Sequence, residues 1–173
     1  LLVRSGTMRI ETPEATVQSI VLSLDGSTYA EAAIPYAAEL AQAFGATIHL
    51  VRVAETAQIY GMLSREPLAP AAADTLNTLG EQLVREAQDY LAKIAEQLRG
   101  QGVTVDTECL EGFAADQLLA YEKEVKPDLV VMATHGRSGL SRLVFGSVAE
   151  RMLRMGTAPV LMINPPSSQE ANG

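Results

Sequence analysis

Five short apolar runs rich in β-branched residues punctuate this chain: SIVLSLD (19–25), ATIHLVRVA (46–54), VTVDTECL (103–110), DLVVMAT (128–134) and APVLMIN (158–164). Between them lie segments of helical periodicity, each long enough to cross a sheet. Runs this apolar suit strands buried on both faces, and strand–helix–strand alternation forces right-handed crossovers between parallel strands. The expected fold is therefore α/β: a single-domain, doubly wound, five-stranded parallel sheet with helices on both faces. A chain of 173 residues with 47% hydrophobic content supplies one substantial core, not two.

The helical segments carry their own punctuation. Thr28 with Glu31 three residues later forms a capping-box pattern that opens an alanine-rich helix ending near Phe44 and Gly45. Pro35 lies inside that pattern, so the helix is expected to kink there or to have an irregular first turn. From Leu76 to Leu98 apolar residues recur at helical spacing, predicting the longest helix. AADQLLAYEKEV and SVAERMLRM predict two more, and Glu31, Glu39, Glu122 and Glu124 are expected on solvated helix exteriors. The stretch from Ala54 to Asp74 reads as a long connection whose Ile59, Tyr60, Met62 and Leu63 pack on the body or on a partner.

Charge and composition narrow the partners. A net charge of −8 disfavours broad binding to nucleic acid or anionic membrane, so an anionic ligand requires a local positive site. No apolar run approaches the roughly 20 residues of a membrane span, and the N-terminus lacks a signal-peptide stretch, which predicts a soluble cytoplasmic protein. Cys109 cannot form an internal disulfide, being the sole cysteine, and reads as part of the core. Seven residues precede Met8 and resemble an extension, so residues 1–16 are expected outside the domain, 17–164 within it, and the proline-led tail 165–173 frayed.

Parallel α/β sheets bind ligands beyond the carboxyl ends of their strands, which directs attention to Asp25 and to residues 132–136. There the run ATHGRSGLSRLVFGSVAERMLR (133–154) places Gly136, Gly139 and Gly146 between a strand and a helix. Glycines allow backbone amides to approach an anion closely, and a helix N-terminus adds about half a positive charge. Ser147 followed by Glu150 reads as a capping box, although the same hydroxyl could meet a phosphate. Four arginines concentrate in this part of an acidic chain, and Arg137 or Arg142 is the candidate ligand among them.

Other polar residues have competing readings. Asp25 could hold a ribose hydroxyl, cap its own turn or ligate Mg²⁺, the first two suiting a strand end better. His135 lacks a nucleophile or acid at a readable spacing and is expected to hydrogen-bond rather than to act as a base; His49, in mid-strand, reads as structural. No metal-ligand cluster, GxxxxGK[ST] loop or GxGxxG fingerprint is present in the sequence.

The run Ala133-Thr-His-Gly136, then nine residues, then Gly146-Ser147, is similar to the nucleotide motif of the universal stress protein family, Gly-x-x-Gly, nine residues, Gly-Ser/Thr. LDGS after the first strand and FGATIHLVRV around the second also resemble that family, over residues 17–164. The resemblance implies binding of ATP, or of ADP or AMP, with Mg²⁺ as an option, by a stress-response or regulatory module that at most hydrolyses ATP slowly. It assigns Leu24, Asp25 and Val53 to adenine and ribose, and Met132, Ala133, His135 and Gly136 to the ribose and phosphate side. Gly146, Ser147, Val148 and Ala149 match the phosphate positions, with Arg137 nearby. It also implies a homodimer through the last strand, Val160 to Ile163, which the apolar sequence there would suit as a sheet edge.

Ala133 stands where the motif has its first glycine. At a positive φ alanine would cost about 1–2 kcal/mol and impair the pocket; at a negative φ the methyl is tolerated and the amide remains. An impaired pocket would leave a chaperone-like or interaction protein of the same fold.

Overall fold

A computed structural model describes residues 2–4, 17–65, 69–134 and 146–164, with 2–4 and Arg65 described by backbone alone. In chain order the elements are β1 (Leu2–Arg4), β2 (Ser19–Ser23), α1 (Thr28–Glu31), α2 (Ile34–Phe44), β3 (Thr47–Ala54) and α3 (Ala57–Arg65). There follow α4 (Pro70–Gly100), β4 (Thr104–Glu111), α5 (Ala114–Val125), β5 (Leu129–Ala133), α6 (Ser147–Met155) and β6 (Val160–Ile163).

All five expected strands form, and they pair in parallel in the order β6-β5-β2-β3-β4. The chain builds outward from β2 through β3 to β4, then returns to lay β5 and β6 on the other side of β2. Strand order thus reverses between β2 and β5, the place where a parallel α/β sheet opens a crevice beyond its carboxyl ends. A sixth strand comes from the segment set aside in the sequence reading: Leu2–Arg4 pairs antiparallel with β6, Val3 opposite Leu161. The outer edge of β6 is therefore occupied by β1.

Alternation within the apolar runs divides the core in two. Ile20, Leu22, Ile48, Leu50 and Val131 face one layer, where Ala37 and Ala41 of α2 and Leu91, Ala95 and Leu98 of α4 cover them. Val21, Val51, Val130 and Met132 face the other, under Leu118 of α5 and Met152 of α6. Alanines along α2 let that helix approach the sheet closely. Among the described residues no helix is long and apolar enough to cross a membrane.

Several local expectations are corrected. Ser27, not Thr28, caps α1, its Oγ accepting from the Ala30 amide at 3.1 Å. The proline conflict resolves as a break after α1: Pro35 sits in the first turn of α2, where an amide hydrogen would have no helical acceptor. The connection after β3 contains a helix of its own, α3, and α4 starts at Pro70 rather than near Leu76. Cys109 is half-buried, and burial chiefly raises its thiol pKa.

Glu122 is not a solvated helix charge. It is 2% exposed, and Oε1 accepts from the Thr157 amide (2.6 Å), the Thr157 hydroxyl (3.0 Å) and the Ala158 amide (2.6 Å). The turn that delivers β6 after α6 is thus tied to α5 by one carboxylate. Gly156 completes the fit, since a Cβ there would lie 2.6 Å from the Met152 carbonyl oxygen. Replacing Glu122 with Ala should lower unfolding free energy by about 3 kcal/mol, because it strands buried donors. Urea denaturation checks this, and a loss below about 1 kcal/mol would mean the turn is held by other contacts.

Candidate functional site

A cavity of about 290 Å³ opens at the strand-order switch, beyond the carboxyl ends of β2, β3 and β5. Its floor is the end of β2 (Ser23, Leu24, Asp25) and the end of β5 (Met132, Ala133, Thr134). Val53 and Glu55 line it from the β3 side, Ala114 and Leu118 from α5, and Gly146 to Ala149 from the start of α6.

The first wall owes its shape to β2 stopping early. Its ladder to β3 ends with Ser23 opposite Val51, and the Leu24 amide donates to the Val51 carbonyl at 2.9 Å. Backbone groups alternate sides along a strand, so those of Val53 point the same way as those of Val51, into the lane β2 has vacated. One N–H and one C=O therefore face the crevice side by side. The chain leaves β2 through a tight turn in which Asp25 Oδ1 accepts from the Ser27 amide (2.9 Å) and hydroxyl (2.6 Å). Gly26 has φ +82°, and a Cβ on it would lie 2.9 Å from the Arg52 guanidinium carbon. Arg52 in turn lies over the Tyr90 ring, 4.8 Å from its centroid, while the Tyr90 hydroxyl donates to Glu31 at 3.1 Å.

At the opposite wall, the residues flanking the glycine-rich run are pinned together. The Gly146 amide donates to the Thr134 carbonyl (2.9 Å), and the Thr134 amide to the Ile163 carbonyl (2.8 Å). Helix α6 therefore starts directly over the end of β5. The expected Ser147 capping box does not form: Gly146 is the N-cap, no side chain caps the helix, and Glu150 pairs with Arg154 at 3.3 Å. The first intrahelical bond runs from the Glu150 amide to the Gly146 carbonyl, so the amides of Ser147, Val148 and Ala149 have no helical acceptor. These amides and the helix dipole form the positive end of the cavity.

Ala133 closes β5 in register with Ile163, and its φ is not positive. Its methyl therefore carries no left-handed strain. Of the sequence-stated candidates, Leu24, Asp25, Val53, Met132, Ala133 and Gly146 to Ala149 come together around one cavity. His135, Gly136 and Arg137 lie outside the described residues, as does Arg142. Ser23, Ala30, Glu55, Ala114 and Leu118 also line the cavity and were missed, whereas Thr134 fell within the 132–136 stretch already singled out. Glu55 is two residues past Val53, a spacing that pointed to it, whereas α5 reaches the site only through the topology. Among the described residues no three His, Cys, Asp or Glu side chains gather to hold a metal.

Fold and crevice define a doubly wound α/β protein with a ligand cleft at its strand-order switch. Comparison with known proteins gives the family: the model of the universal stress protein family matches residues 16–164, and the chain belongs to that family. A universal stress protein of Methanocaldococcus jannaschii, MJ0531, is 31% identical over 160 residues, covering 92% of this chain and 89% of that protein. The solved structure of MJ0577 superposes with a TM-score of 0.76 at 21% identity, over 88% of this chain and 99% of that one. A universal stress protein solved in complex with cAMP has a TM-score of 0.56 at 23% identity, over 88% of this chain and all (100%) of that one. An Arabidopsis thaliana family member with AMP bound has 0.58 at 15% identity, over 88% and 94%.

Two outcomes follow from the turn beneath the cavity. Gly26→Ala should cost about 1–2 kcal/mol for its left-handed backbone, read by urea denaturation, and an unchanged midpoint would contradict the strain. The Tyr90 phenol is held above its ordinary 10.0, first by burial and then by the Glu31 carboxylate. Folding thus favours the protonated phenol, whose stabilisation is whole below about pH 10 and is lost as pH rises further. Tyr90→Phe should flatten the alkaline fall in stability, and parallel falls in both proteins would contradict this.

Proposed function

We propose that this chain is an adenine-nucleotide-binding regulatory module of the stress-response type, acting in the cytoplasm by binding rather than by fast catalysis. The observation that carries the reading is the opposition, across one cavity, of a vacated strand lane at Val53 and an uncapped helix start at Ser147 to Ala149. A backbone N–H beside a C=O complements adenine N1 and its 6-amino group, while free helix amides complement phosphate. The relatives bound to cAMP and AMP support the same ligand class.

In this reading Leu24 and Val53 pack on and read the base, and Asp25 accepts from a ribose hydroxyl. Its carboxylate already holds the Ser27 turn, which suits one more donor better than a stripped Mg²⁺ ion; any Mg²⁺ would arrive with the phosphates. Met132 and Ala133 support the sugar. Gly146 to Ala149 take the phosphates, and by their place in the motif His135, Gly136 and Arg137, outside the described residues, are assigned to the ribose and phosphate side. ATP is the favoured nucleotide, with ADP and AMP as weaker ligands.

Calorimetry on the full chain tests this. ATP should bind, and Ser147→Asp should weaken it at least about tenfold by placing a charge where phosphate sits, while adenosine is affected little. Absence of heat with ATP, ADP and AMP at millimolar ligand would overturn the reading, as would equal loss for adenosine.

The homodimer through Val160 to Ile163 belongs to the same proposal. A β6–β6 contact between copies requires β1 to leave the edge it covers. Sedimentation should therefore give a tighter dimer for a chain lacking residues 1–16 than for the full chain. Monomer in both at micromolar concentration would contradict the dimer.

A further inference from the structure

We propose that Glu55 selects the base, accepting a hydrogen bond from the 6-amino group of adenine and excluding 6-oxopurines. The inference rests on the adenine-nucleotide reading above and adds to it a residue and a specificity.

Glu55 lines the cavity two residues beyond Val53, on the β3 side. Strands β3 and β5 flank β2, so Glu55 and the Thr134–Gly146 pair stand about two strand spacings, roughly 10 Å, apart. That separation places the carboxylate at the end of the cavity away from the α6 amides. An anionic ligand group is drawn to the amides and repelled by Glu55, so the two together fix which way round a nucleotide enters. The base then meets Glu55.

Chemistry decides which base. An ionised carboxylate accepts hydrogen bonds and donates none. Adenine's amino group has two protons: one can satisfy the Val53 carbonyl, and the second needs another acceptor. Among the described residues Glu55 has no hydrogen bond or ion pair, while the other lining carboxylate, Asp25, already accepts from Ser27. A base with oxygen at position 6 would set an acceptor against the Val53 carbonyl and the Glu55 carboxylate together. Sites built to take a hydrogen bond reject analogues that cannot donate it strongly.

The glutamate is exposed, so its replacement does not disturb the core. ATP, ITP and GTP are titrated calorimetrically into the full chain and into Glu55→Gln and Glu55→Ala, with thermal melts confirming folding. Wild type should bind ATP at least about tenfold more tightly than ITP or GTP. Glutamine, able to donate as well as accept, should lower the ATP-to-ITP ratio at least about threefold, mostly by improving ITP, with the Val53 backbone keeping the remainder; alanine should lower ATP affinity and the ratio together. If ATP binds but its ratio to ITP is the same in all three proteins, Glu55 is not the selector although the adenine-nucleotide reading stands; if wild type prefers GTP, the reading and the inference both fall. If wild type binds none of the three, the reading and the inference fall together.

Discussion

The ligand side of this fold depends on β2 ending before its neighbour β3. Its ladder stops at Ser23, while β3 continues to Ala54. The resulting notch lies where strand order reverses, and among the described residues no strand fills it. The Asp25–Ser27 turn closes its near side, and a left-handed Gly26 brings that turn against Arg52. The same early stop leaves the backbone of Val53 facing the cavity instead of a neighbouring strand.

The opposite wall depends on how α6 is seated. The hydrogen bonds from Gly146 to Thr134 and from Thr134 to Ile163 start the helix over the end of β5, and Glu122 fixes where it hands over to β6. A helix held at both ends keeps its first amides aimed at one place. This preorganisation matters because an amide that must first be ordered contributes less to binding. With carboxylates at Asp25 and Glu55 and open amides at Ser147 to Ala149, the cavity is polarised from end to end.

Much of this was legible in the sequence because the signals were local. Apolar runs gave the five parallel strands, and the Gly-x-x-Gly-like run gave the helix start that forms half the site. What escaped needed tertiary information. Glu122 looks like any helix carboxylate until the turn at Thr157 and Ala158 is brought to it from 35 residues away. Ser147 and Glu150 spell a capping box, but Gly146 takes the cap position because its carbonyl accepts the first helical bond. β1 carries too short an apolar run to be read as a strand, and it pairs only because β6 offers an open edge. The conformation of Ala133 could not be read from its identity. Pairing with Ile163 sets it, and the missing glycine is thereby accommodated.

The central claim is that one cavity holds a base at Val53 and phosphate at the α6 amides. Amide NMR on the full chain tests it most directly, by titration with adenosine and separately with ATP. Adenosine should shift Val53 and leave Ser147, Val148 and Ala149 in place, whereas ATP should shift both groups. Movement of neither group with ATP, or of the α6 amides with adenosine alone, would contradict the account.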